Sequence, residues 1–227
     1  MKKRVALKYL KKEWKIMQFH LQSFLKKEEQ EDLHQFRIQA KRIIAFLTLL
    51  DYINHDRKLV KSFSPVKKVF KQAGELRNNY IAQKLMPDSS PSNTSFKNFR
   101  LLAKRHWKKI KKVRLVINRK IRTVKRALLQ RFYQNEIRRL AFSLKWLRSD
   151  NQLHECRKRI KGLLYNYKPF HYTLDMTLNT DYLEQVEETI GQWHDQLLVA
   201  QNDDGCKKKL RSRIGRLTNN FYQRALS

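Results

Sequence analysis

An all-α fold is expected of this chain on three grounds. The sequence holds only 5 Gly and 4 Pro in 227 residues, too few for an architecture built on hairpins. Leu, Ile, Lys, Arg and Gln dominate it. Its apolar positions recur every three or four residues, the period of a helix, instead of alternating as in a strand. A chain of 27.6 kDa is also long enough to bury a substantial core.

Residues 1–27 read as one helix, with Val5, Leu7, Leu10, Trp14, Met17, Leu21 and Phe24 forming a broad apolar stripe opposite a basic face. Acidic residues from Glu28 to Asp32 favour the positive end of a second helix, which runs to about Asp51. Ser64 and Pro65 punctuate the next segment, after which residues 66–86 are helical with Gly74 inside. The block PDSSPSNT, residues 87–94, is the clearest linker. From Ser95 to Arg148 neither Pro nor Gly intervenes, and Ile110, Val113, Ile117, Ile121, Val124 and Leu128 repeat at spacings of three and four, as in a coiled-coil seam. That pattern admits one very long helix or two. Asp150 is the expected N-cap of a helix reaching Lys168 and ended by Pro169. A loop over residues 170–180 leads to a helix opened by the Asp181 and Glu184 pair, running to about Asn202. The Asp203–Gly205 stretch breaks it, and a basic final helix follows. Trp14, Trp107, Trp146 and Trp193 fall on or beside apolar stripes and are expected in the core.

Charge narrows the function. With 51 Lys and Arg against 20 Asp and Glu, the net charge is +31, far more than solubility requires. Self-repulsion of this size opposes compaction unless anions gather on the protein, so the partner is expected to be a polyanion: nucleic acid, an anionic membrane or polyphosphate. Between Asp88 and Glu136 there is no acidic residue at all. Two cysteines, Cys156 and Cys206, make no metal framework and suit a reducing compartment. The N-terminal segment is basic like a signal peptide but lacks the apolar run and small-residue cleavage site, and no window is apolar enough to span a bilayer. The expected location is the cytoplasm.

The chain also matches itself. LHQFRIQAKRIIAF from Leu33 aligns with LHECRKRIKGLLYN from Leu153, so that His34 pairs with His154, Arg37 with Arg157 and Lys41 with Lys161. A second match follows each: AGELRNNYI from Ala73 and IGQWHDQLL from Ile190 share a glycine, Gly74 or Gly191, and then a polar pair, Arg77-Asn78 or His194-Asp195. Residues i, i+3 and i+7 share a helical face, so each motif lays a cationic stripe about two turns long. Arg supplies a forked donor set that fits phosphate oxygens, and Lys a mobile point charge. For the two histidines the spacing admits both a packing hydrogen bond and ligand contact.

In these motifs the sequence resembles the CHAD family, the conserved histidine α-helical domain, whose hallmark is a helix beginning His-x-x-Arg with further basic residues a turn on, once in each half. His34, Arg37, Lys41 and Arg42 match the first copy; His154, Arg157, Lys161 and Tyr165 match the second. The resemblance covers the chain from about Leu33 to Phe221. Ile44 and Leu164 stand where the family often carries one more basic residue. It implies two related helical bundles about a pseudo-twofold axis packed into one domain, with a first half of residues 1–88, the linker 87–94 and a second half of residues 95–227. It also implies non-catalytic binding of inorganic polyphosphate in a basic groove between the two motif helices, on polyphosphate granules or free in the cytoplasm. Some members are fused to triphosphate-hydrolysing CYTH domains, but no Glu-x-Glu-x-Lys strand motif occurs here.

Lys8, Lys12, Lys108, Lys111, Arg122 and Arg126 would extend the basic surface. No enzyme activity, cofactor or metal is expected, because the carboxylates are scattered; the one dense group is Glu28, Glu29, Glu31 and Asp32. No helix carries His at i and i+4 beside a carboxylate. The competing readings are a nucleic-acid-binding protein, for which no recognition motif is present, and a scaffold on polyphosphate or membrane-associated granules.

Overall fold

The computed structural model describes residues 1–56, 58–85, 93–146, 149–199 and 204–226, with the side chains of 81–85, 93–94, 194–199 and 204–207 outside that description. Among the described residues the regular structure is entirely helical. The chain divides into two compact units, Met1–Val124 and Lys125–Ser227.

The first unit opens with α1 (Lys3–Lys27), which buries Leu10, Trp14, Met17, Leu21 and Phe24 at the expected spacing. Glu28 ends it in the left-handed conformation, φ 60° and ψ 20°, and returns its N–H to the Phe24 carbonyl. The chain thereby reverses into α2 (Gln30–Ile53), and α1 and α2 form the most extensive helix pair of the unit. His20 Nδ1 lies 2.7 Å from Asp32 Oδ1 and ties the end of α1 to the first turn of α2. Burial alone would raise the Asp32 carboxyl, but hydrogen bonds from Ser23 and His20 with the charges of His20 and Lys27 outweigh it and hold its pKa down.

The buried carboxylate of Asp51 then caps the short helix α3 (Lys58–Ser62). It accepts the Leu59 N–H at 3.0 Å and the Val60 N–H at 2.9 Å. Helix α4 (Ser64–Leu85) packs on α2 and buries Val69, Ala73 and Leu76.

The stretch from Ser95 onward is two helices. Helix α5 (Asn93–Lys120) buries Phe99, Ala103, Ile110 and Ile117 against α4, α3 and α1, so it belongs to the first unit although the sequence reading groups it with the second half. The boundary between units falls after Val124, and residues 86–92 of the expected linker lie outside the described residues. Residues 121–125 are not helical. Three of them, Ile121, Thr123 and Val124, are β-branched and pay for helical geometry in side-chain freedom. Ile121 and Val124 are instead buried, and Val124 pairs both ways with Met1: its N–H donates to the Met1 carbonyl at 3.0 Å, and the Met1 ammonium donates to its carbonyl at 2.6 Å.

The second unit comprises α6 (Arg126–Lys145), α7 (Asp150–Phe170), α8 (Thr180–Val199), α9 (Asp204–Thr218) and α10 (Phe221–Ala225). Its core gathers Leu129, Tyr133, Leu140, Ile160, Leu183 and Phe221. Two caps differ from expectation by one or two residues. Ser149, not Asp150, is the N-cap of α7, in a capping box with Gln152. Asn179 caps α8, its Oδ1 accepting the Tyr182 N–H at 3.0 Å, in place of the Asp181 and Glu184 pair. Pro169 lies in the last turn of α7, which passes into a 3-10 turn at His171–Thr173.

Candidate cationic sites

On α2 the apolar residues Leu33, Phe36, Ala40 and Ile43 face the core, which leaves His34 and Arg37 half-buried at its margin and Lys41 exposed a turn further on. The margin is where α4 brings Gly74. A Cβ at Gly74 would stand 2.5 Å from Arg37 Nη1, 3.2 Å from Cζ and 3.3 Å from Nη2, so the guanidinium occupies the space that a side chain would need. The bare helix edge also exposes the Phe70 carbonyl one turn earlier. Arg37 Nη1 donates to it at 2.9 Å, and Cζ sits 4.6 Å from the centre of the Phe70 ring. One of the five guanidinium donors is thus anchored, and the flat group is held rather than swinging in solvent.

Arg77, half-buried one turn beyond Gly74, adds a further cation. Burial first, and then the charge of Arg77, lower the pKa of Arg37. His34 is lowered too, by burial and then Arg77; Glu31 opposes this, while Lys41 and Arg37 add to it. Four basic side chains from two helices therefore share one field. Arg42, expected with them, is brought to α1 instead, where Nη1 lies 3.6 Å from Oε2 of the buried Glu13.

The second unit repeats the seat. A Cβ at Gly191 on α8 would stand 2.5 Å from Arg157 Nη2, 2.8 Å from Cζ and 3.2 Å from Nε. His154 is again half-buried on the same helix face, and Lys161 follows a turn later. The partner differs. Arg157 Nε donates to Glu187 Oε1 at 2.6 Å, and Lys161 Nζ lies 3.0 Å from the same oxygen. Glu187 precedes Gly191 by one turn, the place that Phe70 holds before Gly74.

Of the remaining basic candidates, Lys8, Lys12, Lys108, Lys111 and Arg122 are exposed, and Lys111 Nζ stands 5.4 Å over the Trp107 ring. Arg126 is exposed and paired with Asp175 at 2.7 Å. Trp14 and Trp193 are buried as expected, Trp107 is half-buried, and Trp146 is 55% exposed, a departure from the core expectation at the end of α6. The side chains of His194 and Asp195 lie outside the described residues.

Two contributors escaped the sequence reading. Arg77 stands inside the second matched segment, where the letters alone mark only half of a polar pair. Glu187 left no signal in the alignment of the chain with itself, because its counterpart is an aromatic residue. Among the described residues no group of three or more His, Cys, Asp and Glu side chains is placed to hold a metal ion, and no helix is long and apolar enough to cross a membrane. Cys156 is buried, which raises its thiol pKa, partly offset by Arg159 and reinforced by Glu155. No family model, curated protein or solved structure matches the chain. What each seat offers chemically is a fixed, forked cation with a histidine and a lysine on the same helix, a donor set for oxyanions; Lys41 is exposed, whereas Lys161 is paired with Glu187.

Proposed function

We propose that the protein is a non-catalytic binder of inorganic polyphosphate and that each unit contributes one anion seat: His34, Arg37 and Lys41 with Arg77 in the first, His154, Arg157 and Lys161 in the second. The observation that carries the reading is the seating of an arginine on a helix glycine in both units, each with a histidine and a lysine at the same spacing, in a chain of net charge +31. A guanidinium held flat and anchored at one donor presents its other donors without further loss of side-chain freedom, which suits a ligand made only of repeated phosphates. The internal repeat, the CHAD-like character and a cytoplasmic or granule location belong to the same proposal.

The test compares Arg37→Gln with the double change Lys208→Gln/Lys209→Gln on the exposed face of α9. Binding of labelled long-chain polyphosphate is followed by fluorescence anisotropy at physiological salt. A lost charge-assisted contact is worth about 1.5–3 kcal/mol, so Arg37→Gln is expected to weaken binding by roughly tenfold or more although it removes fewer charges. If the double change does the greater damage, binding follows net charge and the seats are irrelevant to it. Duplex DNA at equal charge is expected to compete poorly; efficient displacement favours the nucleic-acid reading.

A further inference from the structure

We infer that Glu187 is an internal competitor for the anion seat of the second unit, and that the seat of the first unit, with Phe70 at the corresponding place, is the open one. The inference rests on the polyphosphate reading above. Arg157 and Lys161 converge on a single oxygen of Glu187, at 2.6 Å and 3.0 Å. Two cations sharing one oxygen is what a phosphate would meet there, so the carboxylate stands in for the ligand. Its side chain is 15% exposed, and those of Arg157 and Lys161 are 23% and 32% exposed, so the contact is sheltered from solvent screening. A phosphate entering this seat exchanges one charge-assisted contact for another and leaves a displaced carboxylate beside a polyanion. Both effects oppose it.

In the first unit the same turn of helix offers Arg37 only a carbonyl and an aromatic face, neither of which carries a charge. Among the described residues neither Arg37 nor Arg77 has a carboxylate within ion-pair distance. Phosphate bound by Arg37 and Arg77 takes no carboxylate from either and relieves their mutual repulsion, which adds to burial in lowering the pKa of Arg37.

Glu187→Gln in the full chain tests this against Glu184→Gln and Glu188→Gln, exposed positions of α8 where the charge change is identical. Binding of labelled long-chain polyphosphate is expected to tighten about tenfold with Glu187→Gln and by less than about twofold with either control, a tenfold change being about 1.4 kcal/mol. The reciprocal change, Phe70→Glu, places a carboxylate before Gly74 and is expected to weaken binding about tenfold, against less than about twofold for Gln22→Glu on the exposed face of α1. Should Glu187→Gln lose its helical circular dichroism, the Phe70→Glu comparison decides alone. Variants that merely track their charge-matched controls overturn the inference. The parent reading fails separately, if duplex DNA displaces polyphosphate at charge equivalence; Glu187 is then judged by the same variants with DNA as the probe.

Discussion

Gly74→Ala is the sharpest probe of how the arginine seats are built. The new Cβ would lie 2.5 Å from Arg37 Nη1, about 1 Å inside ordinary contact. The obstacle is the far end of a flexible side chain, so the guanidinium moves and the backbone stays. Moving it breaks the 2.9 Å bond to the Phe70 carbonyl and the stacking on the Phe70 ring. A hydrogen bond from a charged donor contributes about 1.5–3 kcal/mol and a cation–π contact about 0.5–1 kcal/mol, with the lower ends apt for a half-buried group. Alanine in a helix returns about 1 kcal/mol over glycine. The net expectation is a loss of about 1 kcal/mol, together with weaker polyphosphate binding. Gly215 in α9 is the internal control, because a Cβ there meets nothing within 4 Å; Gly215→Ala is expected to stabilise by up to about 1 kcal/mol. Gly191→Ala should follow Gly74→Ala, since its Cβ also crowds Arg157 Cζ at 2.8 Å. Urea denaturation followed by circular dichroism reads all three. If Gly74→Ala and Gly191→Ala stabilise as much as Gly215→Ala, the glycines are not seats and the local argument collapses.

Three further outcomes are expected. His34 has its pKa depressed in the folded protein, so a bound polyanion favours its protonation: polyphosphate affinity should rise as pH falls from about 7.5 to 6, and His34→Gln should flatten that rise while the similarly depressed His106, held down by burial, Lys68, Lys109 and Arg105, titrates in both proteins. A wild-type profile as flat as that of His34→Gln would remove the histidine from the site. Asp32 is held below its ordinary pKa of 3.8, so its contribution is fully present above that value and is lost as pH falls through the folded pKa; Asp32→Asn should cost about 1–2 kcal/mol at pH 7 by thermal melting and shallow the acid limb. Arg42→Ala leaves the buried Glu13 without its cation and should cost about 1–3 kcal/mol, part of it recovered in Arg42→Ala/Glu13→Gln, with polyphosphate affinity nearly unchanged; a large loss of affinity would return Arg42 to the binding face.

Helices were readable because their signal is distributed. The stripe Leu10, Trp14, Met17, Leu21 and Phe24 states a period four times over, and no single exception erases it. The caps were less readable because each is decided by one side-chain rotamer: Ser149 and Asn179 win over the acidic residues beside them by reaching an N–H, which spacing does not encode. The break at residues 121–125 was hidden for a related reason, since the burial of Ile121 and Val124 is compatible with a continuous seam until Met1 is seen to pair with Val124. In the candidate sites the arginines and glycines were visible as matched letters, but their contact joins positions some 35 residues apart, and the letters say nothing of it. Arg42, adjacent to Lys41 in the chain, approaches Glu13 of α1 because successive residues on a helix are turned about 100° from one another.

In a chain with 51 basic and 20 acidic residues, the placement of the carboxylates sets the first motif apart. Each of these buried or part-buried carboxylates meets a basic group or a helix end: Asp32 beside His20, Asp51 on the N–H groups of α3, Glu13 facing Arg42, and Glu136 between Arg139 and Arg159. Glu187 does the same for Arg157 and Lys161. Cations without such a partner are mostly exposed, where water and salt screen them. Arg37 breaks the pattern, being half-buried, crowded by Arg77 and satisfied by a carbonyl and a ring instead of a charge. A group in that position has its positive charge poorly compensated from within, so an external anion gains more there than at any cation that already has its carboxylate.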